Sequence, residues 1–277
     1  MKKNLCLIVS ALVLACSAHL HAVFIFDSSS GDVTGDFRYC QVGNGGSSAS
    51  SKTQMVYDSS NKTILLEGQY GTSASVGLNA TSSEIGLNNG FYSGNVTSSM
   101  TFTYLNGDST NVGIGLGVRV SASGGVINTY PTYRVQIVGG NFTLQKNYGY
   151  STTVDFGTYA LGATLGSTNI YQMSLSAADT GTNAFGKIVN VTASLYANGG
   201  LVQTLSYLET PTSSSVGNVG ASISSGYIGM FAGESGVNTG NFRGISISQF
   251  SVVPEPSTVA LIGLGALVLG LVRRRWA

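Results

Sequence analysis

The sequence is short of histidine, cysteine, proline and charge. Of its 277 residues, two are His, three are Cys and four are Pro, and charged residues make up 9%. His19 and His21 both lie within the first 22 positions, so the body of the chain from Val23 onward carries no imidazole. That excludes Ser-His-Asp and Cys-His nucleophilic sites there, and it excludes His-based zinc sites, which one cysteine cannot replace. Cys6 and Cys16 also precede position 22, so Cys40 has no partner in the body for an internal disulfide. In FRYCQV it reads as a small buried apolar side chain. No glycine-rich phosphate loop ending in Lys-Ser/Thr occurs, and no cofactor is implied. The charge is also unevenly spread. Lys2, Lys3, Arg273, Arg274 and Arg275 supply five of the thirteen basic residues, and Glu255 one of the twelve acidic ones, so the middle carries about −3. No basic patch remains to bind nucleic acid, and none is expected as a partner.

What the sequence has is glycine, at 38 residues, set among Ser, Thr, Asn, Val and Tyr. That composition suits strands and turns. In YRVQIVGGNFTLQK, Tyr133, Val135 and Ile137 alternate with Arg134 and Gln136. A Gly-Gly-Asn turn follows, and Phe142 and Leu144 then alternate with Thr143 and Gln145. This predicts a β-hairpin. KIVNVTASLYANGGLVQTLSYL repeats the design, with Val189, Val191, Ala193 and Leu195 on one face and an Asn-Gly-Gly turn before Leu201. TFTYLNGDSTNVGIGLGVRV has the same form around Asn106-Gly107. No stretch of the middle keeps a 3.6-residue apolar period over three turns, so an all-β sandwich or barrel is expected. YLETPTSSSVGNVG reads as a long loop.

The two ends differ from the body. MKKNLCLIVSALVLACSAHLHA has two lysines, a short apolar run and small residues near its end, the layout of a secretory signal helix. Cleavage after Ala18 or after Ala22 fits. Val13-Leu14-Ala15-Cys16 also loosely resembles a lipobox, which would place a lipid on Cys16. At the other end Pro254-Glu255-Pro256 precedes an unbroken apolar and glycine run from Val259 to Val272, then Arg273, Arg274 and Arg275 and the chain's one tryptophan, Trp276. As a helix that run covers roughly 21 Å, short of a ~30 Å hydrocarbon core, and the arginines suit a stop-transfer end on the inner side. The prolines hold Glu255 in an extended segment.

Those three parts in that order resemble the PEP-CTERM sorting signal of Gram-negative, exopolysaccharide-making bacteria. The resemblance covers about the last 25 residues and implies recognition by an exosortase, a membrane-embedded cysteine protease-transpeptidase that cuts near Pro-Glu-Pro. It implies a precursor tethered in the inner membrane transiently through residues 259–272, then delivery to the cell surface, outer membrane or extracellular matrix. The chain is thus divided into a signal peptide (1–22), a β-sandwich domain (23–252) and a sorting signal with a transmembrane helix (253–277).

GYIGMFAGESGVNTGNFRGISISQFSVV, following the YRVQI and VTASLYANGG strands, resembles the closing strands of the concanavalin A-like, laminin-G-like jelly-roll sandwich. Glucanases of that fold carry Glu-x-Asp-x-Glu on one strand, and nothing here matches. Asp155, Asp179, Glu209 and Glu234 are scattered and read as solvated loop charges. Asp27, Asp32 and Asp36 in FDSSSGDVTGDF form the densest carboxylate group; they read as Asx-turn residues, with calcium as the weaker alternative. Tyr148 and Tyr150 in QKNYGYS are the candidate glycan-stacking surface. No catalytic residue is identified. The expectation is a non-catalytic exported surface or matrix protein. A lectin-like module for exopolysaccharide is the alternative, and a polysaccharide-degrading enzyme is the third reading.

Overall fold

The computed structural model describes residues 24–42, 53–70, 72–78, 92–121, 131–148, 152–215, 219–235 and 240–254. The signal segment, Tyr150 and the tail from Glu255 on, with its apolar run and arginines, lie outside the described residues. Among the described residues no helix is long and apolar enough to cross a membrane.

Two antiparallel sheets face each other. Numbered in chain order, the first runs β14 (Gly200–Glu209), β13 (Gly186–Ala197), β12 (Tyr171–Asn183), β7 (Val96–Leu105), β16 (Arg243–Pro254), β4 (Thr63–Gly68), β3 (Thr53–Asp58), and β1 (Phe24–Phe26) also pairs with β16. The second runs β11 (Thr153–Ala160), β10 (Asn141–Asn147), β9 (Thr132–Val138), β8 (Val112–Val120), β15 (Ser225–Glu234), β5 (Ser73–Leu78), β2 (Phe37–Val42), and β6 (Tyr92–Ser93) also pairs with β15. The all-β sandwich expected from the sequence is therefore the observed architecture.

Two of the three expected hairpins form, for the expected reason; the third, around Asn106-Gly107, does not, because β7 and β8 lie in different sheets and the turn between them crosses from one sheet to the other. Gly139 and Gly140 both take positive φ between β9 and β10, and Asn198 and Gly199 do so between β13 and β14. Two successive residues at φ > 0 make the tight turn whose twist matches paired strands, and few residues other than Gly and Asn tolerate it. In β7 burial alternates strictly, with Val96, Ser98, Met100, Phe102 and Tyr104 inside. Phe102, Tyr104 and Tyr171 meet there with ring centroids 5.5–5.7 Å apart. Ile114, Leu116, Val135, Ile137 and Leu144 face them from the second sheet in one continuous core. The outward positions of the first sheet carry hydroxyls that pair across strands: Ser99 with Ser251 at 2.8 Å and Ser194 with Thr204 at 2.9 Å.

Strand β16 is central. β7 lies on one edge over Gly244–Pro254, and β4 and β1 share the other. It reaches Pro254, two residues past the domain boundary read from the sequence, because a proline can close a ladder from a position where no amide hydrogen is needed. Phe24 stands opposite Val252, so both ends of the sandwich emerge side by side at one pole. Arg243, opposite Gly68, marks the other pole. A Cβ at Gly244 would overlap the Leu66 carbonyl oxygen and crowd the Glu67 backbone. Gly244→Ala is therefore expected to lower stability by about 3 kcal/mol or more, read as a lowered urea midpoint with an unchanged slope.

Candidate functional site

The pole that carries Phe24 and Pro254 is closed by buried charge. Arg119, at φ 57, turns its side chain inward. It donates to the carbonyls of Ile223 (2.7 Å), Gly94 (2.7 Å) and Ala177 (3.2 Å) and to Asp179 Oδ1 (2.8 Å). Lys187 meets the other Asp179 oxygen at 3.3 Å. Beside this, Lys146 donates to Glu209 Oε1 and the Ala221 carbonyl, and the Tyr133 hydroxyl donates to Glu209 Oε2. Burial pulls the Lys146 ammonium below its usual range, against the pull of Glu209. Burial first, and then the Glu209 charge, pushes the Tyr133 hydroxyl up.

These contacts correct two readings. Glu209 and Glu234 are not solvated loop charges: both are strand residues at 6% and 2% exposure. Asp179 is held by Arg119 and Lys187, and Asp155 lies on β11, accepting from the Gln145 amide. Tyr148 is not an exposed stacking surface. It is 9% exposed, its hydroxyl donates to the Val219 carbonyl at 2.7 Å, and Lys146 Nζ stands 4.8 Å from its ring centre. Asp27 Oδ1 accepts from Ser29 N (2.8 Å) and Ser29 Oγ (2.6 Å), and Asp32 Oδ1 from Thr34 N (2.9 Å) and Thr34 Oγ1 (2.7 Å), so both fold as Asx turns. Asp36 ends the short 3₁₀ turn Thr34–Asp36. Among the described residues no group of three or more His, Cys, Asp or Glu is placed to hold a metal ion. Cys40 lies on β2 opposite Ser75. Of the sorting residues, Pro254 closes β16, and Glu255, Pro256, Arg273, Arg274 and Arg275 lie outside the described residues.

At the opposite pole, among the described residues, a cleft is lined by Asn106, Asn241, Phe242 and Arg243. Asn106 takes the left-handed conformation that its short amide tolerates, and its Nδ2 points to the Phe242 carbonyl at 3.5 Å. The following loop is locked from within: Asp108 Oδ1 accepts from Thr110, and Asp108 N donates to Asn111 Oδ1 at 2.9 Å. The Thr110 side chain, helped by neighbouring amides and by Arg243, holds the Asp108 carboxyl below the usual range. Arg243 Nε lies 3.9 Å from Glu234 Oε1, whose carboxylate is wholly buried. Among the described residues Arg243 Nε, itself buried, makes no hydrogen bond. Tyr70, at φ 56 and 48% exposed, completes the pole, and a Cβ at Gly240 would stand 3.0 Å from its hydroxyl. A positive φ on an aromatic residue is uncommon and marks a constrained position. Amides that donate and accept, a guanidinium and a partly exposed ring suit a polar, ring-shaped ligand. The described lining holds no nucleophile.

Sequence reasoning placed Asn106 in a turn but not in a site. Arg119 and Lys146 were legible only as charges interrupting VGIGLGVRV and NFTLQK, and so few charges occur that such interruptions are a usable signal.

Residues 252–275 match the PEP-CTERM protein-sorting motif. No protein of curated function matches the chain. Among solved structures, the carbohydrate recognition domain of Emp47p is similar, with a TM-score of 0.50 and 12% identity over 84% of this chain and 96% of that one. A legume lectin-like domain from Entamoeba histolytica gives 0.48 and 8% over 79% and 90%. The lectin UEA-II complexed with galactose gives 0.48 and 7% over 84% and 98%. The sandwich thus has the concanavalin-like jelly-roll fold. It carries at its end a motif that marks an exported, exosortase-processed protein.

Removing one partner of the buried pair leaves the other charge uncompensated. Glu209→Gln is expected to cost about 3–5 kcal/mol, and Lys146→Met with Glu209→Leu should recover most of it in the same denaturant titration. Burial and Glu209 push the Tyr148 hydroxyl from 10.0 up to about 12. Its folded value lies above its unfolded value, so it stabilises the fold below about pH 10 and loses that contribution as pH rises towards 12. Tyr148→Phe should make the alkaline fall in denaturation midpoint shallower.

Proposed function

We propose that this is a non-catalytic surface protein. An exosortase releases it from an inner-membrane tether to the cell surface or matrix, where the cleft at Arg243 binds carbohydrate. The observation that carries the reading is the placement of two features on one strand. β16 begins at Arg243 in the cleft and ends at Pro254 in the sorting motif, so a chain held by its tail presents the cleft outward. The Emp47p domain of this fold is a carbohydrate recognition domain, and the amides, guanidinium and Phe242 ring of the cleft offer contacts of the kind a sugar needs. An exopolysaccharide of the producing cell is the expected partner. Tethering substrate and enzyme in one bilayer would raise their effective concentration.

Binding of residues 23–254 to purified host exopolysaccharide should saturate. Asn241→Ala changes an exposed side chain, so it should weaken binding about tenfold, roughly 1.4 kcal/mol, while moving stability by less than about 0.5 kcal/mol. Equal binding by wild type and Asn241→Ala, or none by either, refutes the cleft. Trp276 is the one tryptophan, so protein released from the surface after processing should emit tyrosine fluorescence only. Pro254→Ala with Glu255→Gln should leave the chain membrane-bound with tryptophan emission retained.

A further inference from the structure

We infer that the bond cut in sorting lies C-terminal to Pro254, and that the folded sandwich sets this limit. The inference rests on reading residues 252–275 as an exosortase substrate. The sorting motif begins at Val252, yet β16 continues through Pro254, so fold and motif share three residues. Val252 is wholly buried in the core, in register with Ser98 on one edge and Phe24 on the other. Val253 pairs with Thr97 and Pro254 with Val96.

A protease cleft takes its substrate as an extended strand, through the backbone groups on the strand's edge. At Val252 both edges are already occupied. At Val253 and Pro254 the edge towards β7 is occupied. Presenting these residues to a cleft means peeling them from β7 and β1, which brings Val252 and then Phe250, each buried, into water. The register with β7 ends at Pro254. Cleavage upstream of Val252 would also strip a core side chain from the product, whereas cleavage after Pro254 leaves every core residue of β16 in place. Pro254 is suited to this boundary: it has no amide hydrogen to contribute and closes the ladder.

In the step itself, one peptide bond beyond Pro254 breaks. Its acyl carbon passes to water or to a primary amine of an acceptor, and the new α-amino group takes up a proton and leaves with the apolar run and the arginines. The first proline of Pro-Glu-Pro thereby stays inside the sheet as the last residue of β16. The sandwich acts as a stop that fixes how far upstream the enzyme reaches.

Two measurements test this. The full chain is expressed in its host, and the protein recovered from the surface is digested and its C-terminal peptide sequenced by mass spectrometry. A product ending at Pro254 or later, with Val252 and Val253 retained, is expected. A product ending at Val253 or earlier overturns the inference while leaving sorting intact. Recovery of only the uncut chain overturns both it and the sorting reading. In the second measurement, the purified uncut chain is treated with a broad-specificity soluble protease. Trimming from the tail should halt at Pro254 or later, and trimming that passes Val252 under conditions where the rest of the sandwich survives shows that the sheet sets no limit.

Discussion

The structure hangs on the pairing of β16. It is held on one edge by β7 across Gly244–Pro254 and on the other by β4 and β1. Through Ile245, Ile247, Phe250 and Val252 it puts four buried apolar residues into the core. Gly244 lets it run tight against the Leu66 backbone. Because this strand spans the sandwich from pole to pole, its two ends acquire different company. Arg243 meets the β7–β8 loop and Glu234, while Pro254 meets the start of β7 and the neighbourhood of Phe24. Binding surface and sorting end are therefore separated by the length of one strand and joined by its covalent backbone.

Charge in this protein is rare and mostly structural. Arg119, Lys146, Glu209 and Glu234 are nearly inaccessible, and an ion in that position is costly unless its partners are complete. Arg119 meets three carbonyls and a carboxylate, and Lys146 meets a carboxylate and a carbonyl. These contacts tie β8, β10, β12 and β14 to the 219–223 segment, closing the gap where the two sheets end. Arg243 differs. Its carboxylate lies 3.9 Å away, and its buried Nε makes no hydrogen bond among the described residues.

The architecture was largely legible in the sequence. Gly139-Gly140 and Asn198-Gly199 are local instructions, and period-two alternation names the core face of β7 and β13 without reference to anything distant. The site was less legible because its parts are brought together by topology. Asn106 and Arg243 are far apart in the chain, as are Lys146 and Glu209, and no local pattern ties a charge to a partner on another sheet. Tyr148 illustrates the limit. Its place after a strand suggested exposure, but the 219–223 segment covers it. The reach of the last strand was hidden for a related reason: Pro-Glu-Pro looks like a break, while its first residue still completes the register with Val96.

The orientation of β16 also has a mechanical side. A pull applied at the Arg243 end and resisted at the Pro254 end runs along the strand. It loads the ladder with β7 in shear, so the hydrogen bonds from Gly244 to Pro254 share the force and must slip together. A pull between the two chain ends would act differently. Phe24 and Val252 are neighbours at one pole, and force there would peel β1 from β16 one bond at a time. The same sandwich is stiff towards a load borne at its far pole and weak towards one that separates its ends.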